Sequence, residues 1–268
     1  MKIDRDILRQ YFNLTAILAA FGINVLANIA PMGGLTIGEI SNTFFREVLI
    51  TPANYAFAIW GLIYLGLITF GVYQVLPAQR HNASLRRMGY LWVLASLAQI
   101  CWVFFFQYRL FLLSLVAMLG ILLPLIGIYL RLRLGYTRVS RQEKWFVYIP
   151  LSIYLAWISV ATIVNVALTL YNQGWSGWGI NPQVWTVIAL ITGAAIAATV
   201  SIQRADIAYT LVIVWAFVAI AVRQADKPLI AATAGGLAIA LVLLLVLSVL
   251  RHQKLRLNSN ESREHGRS

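Results

Sequence analysis

The 268-residue chain is poor in charge, in histidine and above all in cysteine: Asp, Glu, Lys and Arg make up 11% of it, with three His and one Cys. The lone thiol, Cys101, excludes an intrachain disulfide framework and a multi-thiolate metal site. Soluble domains carry roughly 25% charged residues, and a chain with so few cannot coat a water-soluble particle. Disorder, a coiled coil and an ordinary soluble enzyme are excluded with it. Strand-period alternation is also missing, which argues against a transmembrane β-barrel.

What is present is apolar: 60% of the residues are hydrophobic. They fall into eight uncharged runs, 11–30, 53–76, 88–107, 110–130, 146–171, 184–202, 207–222 and 229–250. Each reads as a helix crossing the hydrocarbon, so the fold class expected is all-α, a polytopic membrane bundle of about eight transmembrane helices. The seventh run is the weakest. At 1.5 Å per residue it covers about 24 Å, so Arg223 would have to snorkel or the bilayer thin. The net charge of +12 could indicate nucleic acid, but the basic residues lie between the runs. Of the 21 Lys+Arg, only Arg46, Arg109, Arg223 and Lys227 lie in the odd-numbered connections. The rest sit at the N-terminus, in the even-numbered connections and in the C-tail, which places both termini in the cytoplasm and leaves nucleic acid unneeded. Lys2, Arg5 and Arg9 ahead of the first run, with Val25-Leu26-Ala27 inside it, also resemble a secretory signal; cleavage there would not change the orientation downstream.

The runs contain no Asp, Glu, Lys, Arg or His; His81 lies in a connection, and His252 and His265 in the tail. This argues against a proton-coupled carrier with a buried carboxylate, an HExxH intramembrane protease and a haem held by imidazole between helices. GxSxG and a Gly-rich phosphate loop do not occur. The inventory offers no catalytic residues and no metal ligands, and weighs against an enzyme. Small residues on the last run (Ala231, Ala232, Gly235, Gly236, Ala240) and on the sixth (Gly193, Ala194, Ala198) read as close helix packing.

The aromatics carry the functional reading. Trp145, Trp175, Trp178 and Trp185 fall near run ends, as interfacial belt residues do. Inside the runs, Phe57, Trp60 and Tyr64 share one helical face, Gln99, Trp102 and Phe106 another, and Trp157, Ala161 and Asn165 a third. With the first connection outside, all three faces lie in the outer half. If their helices are neighbours, they wall one aromatic pocket under a lid formed by 31–52. Such a pocket suits a flat apolar ligand, with Gln99 and Asn165 as orienting polar contacts. Packing, and interhelical hydrogen bonding for the amides, is the competing account.

At these residues the sequence resembles the translocator protein family, also called tryptophan-rich sensory proteins or peripheral-type benzodiazepine receptors. That family's second helix follows a Pro-rich turn and carries Trp-x-x-x-Tyr, here Pro52 and Trp60-Gly-Leu-Ile-Tyr64. Its third carries Asn-x-x-Trp-x-x-Phe-Phe, here Gln99-Ile-Cys-Trp102-Val-Phe-Phe105-Phe106, and its fifth a Tyr, Trp, Ala and Asn at the spacing of Tyr154, Trp157, Ala161 and Asn165. There are departures. Phe57 stands three residues before Trp60 rather than four, Pro150 is displaced by three, Thr169 replaces a Trp, and 31–52 lacks the family's Trp-rich motif.

The resemblance covers roughly residues 10–172. It implies a five-helix bundle in 1–172; the runs in 173–250 have no counterpart in that family and read as three additional transmembrane helices, followed by a basic polar tail in 251–268. It implies a ligand site made of Phe57, Trp60, Tyr64, Gln99, Trp102, Phe106, Trp157, Ala161 and Asn165. It implies no covalent cofactor but a bound tetrapyrrole such as protoporphyrin or haem, or a sterol-like lipid. The role implied is that of a receptor for sensing or a translocator for transport. The expected partners are the lipid bilayer, that small molecule and a second copy in a homodimer, and the expected location is the cytoplasmic membrane of a bacterium. Two alternatives stand beside this: a secondary transporter of another small molecule with the aromatics as packing, and light-dependent degradation of porphyrin through pocket Trp residues.

Overall fold

Each uncharged run becomes one helix in the computed structural model, which describes residues 4–136 and 139–265, with side chains through residue 253. Helix α1 (Arg5–Ile29) begins on Asp4, whose carboxylate accepts the Asp6 N–H. The first connection contains α2 (Ile37–Phe44), opened by a capping box between Thr36 and Glu39. A 3₁₀ turn, Asn54–Ala58, leads into α3 (Ile59–Val75). Short α4 (Ala83–Met88), capped by Asn82, ends at Gly89, whose φ of +59° suits a residue without Cβ. This break explains why α5 (Leu91–Gln107) starts later than residue 88, where the expected run began.

Next come α6 (Phe111–Arg131) and a single turn, α7 (Arg141–Glu143), which passes through a π turn (Lys144–Tyr148) into α8 (Ile149–Asn172). The chain finishes with α9 (Pro182–Arg204), α10 (Ile207–Arg223) and α11 (Pro228–His265). Six helices are long and apolar enough to cross a membrane; α5 and α10 are apolar too but have 17 residues each. Among the described residues there is no strand.

The long helices alternate in direction, so one end of the molecule gathers the N-terminus with α4 and the other gathers α2. Five of them close a ring in which α1 packs on α5, α5 on α6, α6 on α8, α8 on α3 and α3 back on α1. Inside it lie Ile63, Phe70, Trp92, Met118, Ile121 and Leu125, all fully buried. Outside, Leu123, Ile239 and Leu247 are more than 60% exposed, as side chains meeting lipid tails should be. The remaining helices form a second group in which α9, α10 and α11 pack on one another and α10 lies against α8.

Small residues set some of these approaches. A Cβ on Gly193 would lie 3.4 Å from Phe217, and one on Gly120 3.1 Å from the Ala98 Cβ. The stripe on α11 behaves differently. A Cβ on Gly235 or Gly236 would meet nothing within 4 Å, so these glycines bring no other part of this chain close. The packed face of α11 is instead Ile230, Ala234, Ala238, Leu241 and Leu245.

Polar side chains fasten the ends. Near the N-terminus, Asp6 pairs with Arg86 and, at 3.3 Å, with Arg9. Beside them Gln10 donates to the Gln74 carbonyl, and Asn13 donates to the Gly89 carbonyl at 3.2 Å. At the opposite end, the Gln107 amide donates to the Ala27 carbonyl at 2.7 Å and accepts the Met32 N–H at 3.1 Å.

Candidate functional site

The ring turns its large aromatic side chains inward. The Trp60 ring stacks on Tyr64 with centroids 5.6 Å apart and meets the edge of Tyr154 at 6.3 Å. Tyr154 stacks in turn on Trp92 at 6.3 Å. Phe57 sits edge-on to Trp157 at 6.1 Å, and Trp102 lies beside Phe106 at 5.2 Å. The helical registers of α3, α5 and α8 therefore point three aromatic faces at one interior.

Most of that interior is filled. Trp102, Phe106, Trp157, Gln99 and Asn165 are each at most 7% exposed. Asn165 Oδ1 accepts the Trp102 indole N–H at 3.0 Å, and its amide donates to Ser114 Oγ at 3.1 Å. The Tyr154 hydroxyl donates to Gln99 Oε1 at 3.1 Å. The two amides thus act as interhelical hydrogen-bond partners, joining α5, α6 and α8. Two polar atoms nearby stay unmatched: Tyr64 Oη and Gln99 Nε2 are buried with no hydrogen-bond partner among the described residues.

Open space lies above this packed centre, at the α2 end. A cavity of about 430 Å³ is bounded by α1, α2 and the start of α3. Phe57 and Trp60 line it, and none of the other sequence-expected site residues does: Tyr64, Gln99, Trp102, Phe106, Trp157, Ala161 and Asn165 lie beneath it or elsewhere in the ring. The remaining lining is Asn24 and Asn28 from α1, Thr36, Ile37, Gly38, Glu39 and Asn42 from the α2 segment, and Asn54.

Helix α2 covers this space because its segment is pinned on several sides. Ile40 and Phe45 are buried, and the Phe45 ring meets Phe111 edge-on at 4.7 Å. The Thr36 N–H and hydroxyl both donate to Glu39 Oε2, which holds the Glu39 carboxyl below its usual range. Gly33 passes so close to α5 that a Cβ there would sit 2.2 Å from the Gln107 carbonyl oxygen.

The second helix group reaches the same place through α10. Arg223 Nη1 donates to Asn42 Oδ1 and to the Pro52 carbonyl, each at 3.1 Å. Gln224 donates to the Leu49 carbonyl at 2.9 Å, and the Ala53 N–H donates to the Ala219 carbonyl at 3.0 Å. The Trp215 indole donates to the Ala56 carbonyl at 3.3 Å, next to the cavity-lining Phe57. Arg223 thus ends on Asn42 and Pro52 of the first connection. The opposite end of α10 is tied as well, with Asp206 accepting from the Tyr129 and Ser152 hydroxyls at 2.9 and 2.6 Å.

The amide-rich rim and the α10 contacts were missed by the aromatic reading. A signal for the lid was present: Thr36-Ile-Gly-Glu39 is a capping-box sequence and marks a helix inside the first connection. The four asparagines follow no single helical spacing, since they come from three separate elements.

Chemically, the cavity offers a π platform, several amides and one carboxylate. Among the described residues no three His, Cys, Asp or Glu side chains gather to hold a metal ion. The family model described as TSPO-like protein matches residues 10–247, running past residue 172 and through most of the last three helices. No curated protein and no solved structure matches the chain.

Proposed function

We propose, from the premise that this chain belongs to the TSPO-like protein family and is a multi-pass membrane protein of that type, that it binds a flat, largely apolar ligand under α2 for sensing or transport. A tetrapyrrole such as protoporphyrin or haem, or a sterol-like lipid, is the ligand class. One observation carries the reading: the cavity of about 430 Å³ is floored by Trp60 and Phe57, at the head of the ring stack Trp60–Tyr64. Small-molecule sites commonly enclose roughly 300–1,000 Å³. An indole face at the floor adds about 0.5–1.5 kcal/mol for a stacked aromatic partner beyond the area it buries.

Tyr64 stacked on Trp60 and Tyr154 meeting it edge-on support its ring. Trp157 props Phe57 edge-on, and the Trp102–Asn165–Ser114 hydrogen bonds lock the helices that carry these props. Direct contact therefore falls to Trp60 and Phe57, and the deeper aromatics position them.

Protoporphyrin titration of the protein in lipid nanodiscs, followed by Trp fluorescence, tests this. Trp60→Ala should weaken binding by tenfold or more, Trp157→Ala by less, and Trp185→Ala not at all. Equal affinity in all three would overturn the site, and absence of saturable quenching in the unaltered protein would overturn the tetrapyrrole.

A further inference from the structure

Side chains, not space, fill the ring below the cavity: Phe70, Trp92, Met118, Ile121 and Leu125 are each at most 1% exposed. Through such packing a displacement passes where a ligand-sized molecule does not. Resting on the reading that the cavity under α2 holds a ligand, we infer that the protein is a receptor in which α10 reports the state of α2 at the opposite end of the molecule. Closure of α2 and a clamp on Asp206 form together and release together.

The clamp lies at the end that gathers the N-terminus. Asp206 Oδ2 accepts both the Tyr129 hydroxyl of α6 and the Ser152 hydroxyl of α8, at 2.9 and 2.6 Å. Oδ1 accepts the Tyr209 N–H at 3.1 Å and so caps α10. Two residues earlier, Arg204 of α9 lies over the Tyr129 and Tyr136 rings at 4.9 and 4.8 Å, and its Nη1 donates to the Leu134 carbonyl at 2.9 Å. Tyr129 is thus gripped from α9 and from α10. Release of Asp206 leaves it, and the connection that follows it, held by α9 alone. Tyr136 in that connection is 59% exposed, so the change reaches the molecular surface.

Helix α10 links this clamp to the lid. Its 17 residues span about 26 Å and include no Gly or Pro at which to bend. Its far end carries Arg223 on Asn42 and Pro52, Gln224 on Leu49 and the Ala219 carbonyl on Ala53. A ligand enclosed under α2 touches Ile37 and Asn42 only while α2 is down, so it favours that state. Ala205, in the left-handed region at φ +47°, is the joint between α9 and α10, where α10 can shift while α9 stays. Packed helices commonly shear by about 1–2 Å in such transitions. A shift of about 1 Å along the bond direction takes the Tyr129 and Ser152 contacts beyond hydrogen-bond range.

The test runs in both directions, because coupling between two sites is reciprocal. Ser41, on α2 and 4% exposed, reports the lid as a thiol in a Cys101→Ser background. Tyr129→Phe with Ser152→Ala removes the clamp hydroxyls and leaves the α10 cap. It should raise maleimide labelling of Ser41→Cys about fivefold, the low end of usual coupling, and either change alone should raise it by less. Ala95→Cys, fully buried on α5, should label no faster. In an Arg223→Met background the paired change should add less than it does alone. In the other direction, saturating protoporphyrin in nanodiscs should slow amide exchange at Tyr209 by about the same factor. Arg223→Met should diminish that slowing while quenching persists.

An unchanged Ser41→Cys rate in the clamp variants overturns the inference, and so does equal acceleration at Ala95→Cys or strict additivity with Arg223→Met. Saturable quenching without slowing at Tyr209 overturns it while the site reading stands. Coupled labelling without quenching upholds it and removes the tetrapyrrole.

Discussion

Replacing Arg223 by Met should loosen the lid without unfolding the protein. Arg223 belongs to α10, yet Nη1 ends on Asn42 of α2 and on the Pro52 carbonyl, both at 3.1 Å. A hydrogen bond to a charged group contributes about 1.5–3 kcal/mol when well buried. Arg223 is only half-buried, and water can replace it at both acceptors once it is gone, so about 1.5 kcal/mol for the two together is the reasoned figure. At about 1.4 kcal/mol per tenfold, the population with α2 lifted should rise roughly tenfold.

Ser41 is the reporter: it lies on α2, is 4% exposed and is close in size to Cys. In a Cys101→Ser background, which removes the exposed native thiol, the maleimide labelling rate of Ser41→Cys tracks lid opening when closing is fast. Arg223→Met should raise that rate about tenfold on the figure above, and Arg223→Lys by less. A thiol at Ser201, fully buried on α9 near the opposite end, should label no faster. An unchanged Ser41→Cys rate would refute the latch, and equal acceleration at both positions would show general destabilisation instead.

Other consequences are sharper locally. Gly33→Ala should accelerate Ser41→Cys labelling because its Cβ would sit 2.2 Å from a backbone oxygen that cannot swing away, whereas Gly38→Ala, with nothing within 4 Å, should not. Asn165→Leu strands the Trp102 indole N–H in the core and should cost about 1–2 kcal/mol in a reversible unfolding assay; adding Trp102→Phe should recover part of the loss, since neither partner then remains unpaired. Glu39 has its carboxyl lowered first by the Thr36 backbone N–H and then by the Thr36 hydroxyl. A depressed folded value means the cap is complete above the ordinary carboxylate range and is lost as pH falls through the lowered value. Amide exchange at residues 39 and 40, corrected for intrinsic rates, should therefore rise on acidification, and Glu39→Gln should flatten that pH dependence.

The spans were legible because their cause is one-dimensional: a bilayer demands an unbroken apolar run, and such a run can be counted. The inward aromatics were legible for a related reason. Helical spacing puts Phe57, Trp60 and Tyr64 on one face whatever the neighbours are, and the same holds for Trp102 with Phe106 and for Trp157 with Asn165. Spacing does not say whether a face meets a void or another side chain. Asn165 and Gln99 have the chemistry of ligand contacts, yet here they accept from Trp102 and Tyr154. Of the Asn24, Asn28, Asn42 and Asn54 rim, only Asn24 and Asn28 share a helical spacing; the set forms only when α1, α2 and the turn before α3 converge. The α11 glycines show the same gap from the other side. Their spacing suits close packing, but within this chain the neighbouring helices press on Ala234 and Ala238 one face away.

The shortness of α10 brings these points together. Considered as a lone span, a helix of 17 residues ending in Arg223 looks mismatched to its bilayer. Its ends are fastened to protein on one side, although Ile207 and Val222 beside them stay exposed. One is held by Tyr129 and Ser152 through Asp206, and the other lies against residues 42–53 through Arg223, Trp215 and Ala219. A helix anchored to protein at both ends need not match the hydrocarbon thickness; it must match the distance between its anchors. That requirement makes the length of α10 a property of the lid. Lengthening it by a turn should move Arg223 about 5 Å from Pro52 and release α2 as Arg223→Met does, whereas a turn inserted into α11 beyond Leu245, where no such anchor lies among the described side chains, should leave Ser41→Cys labelling unchanged.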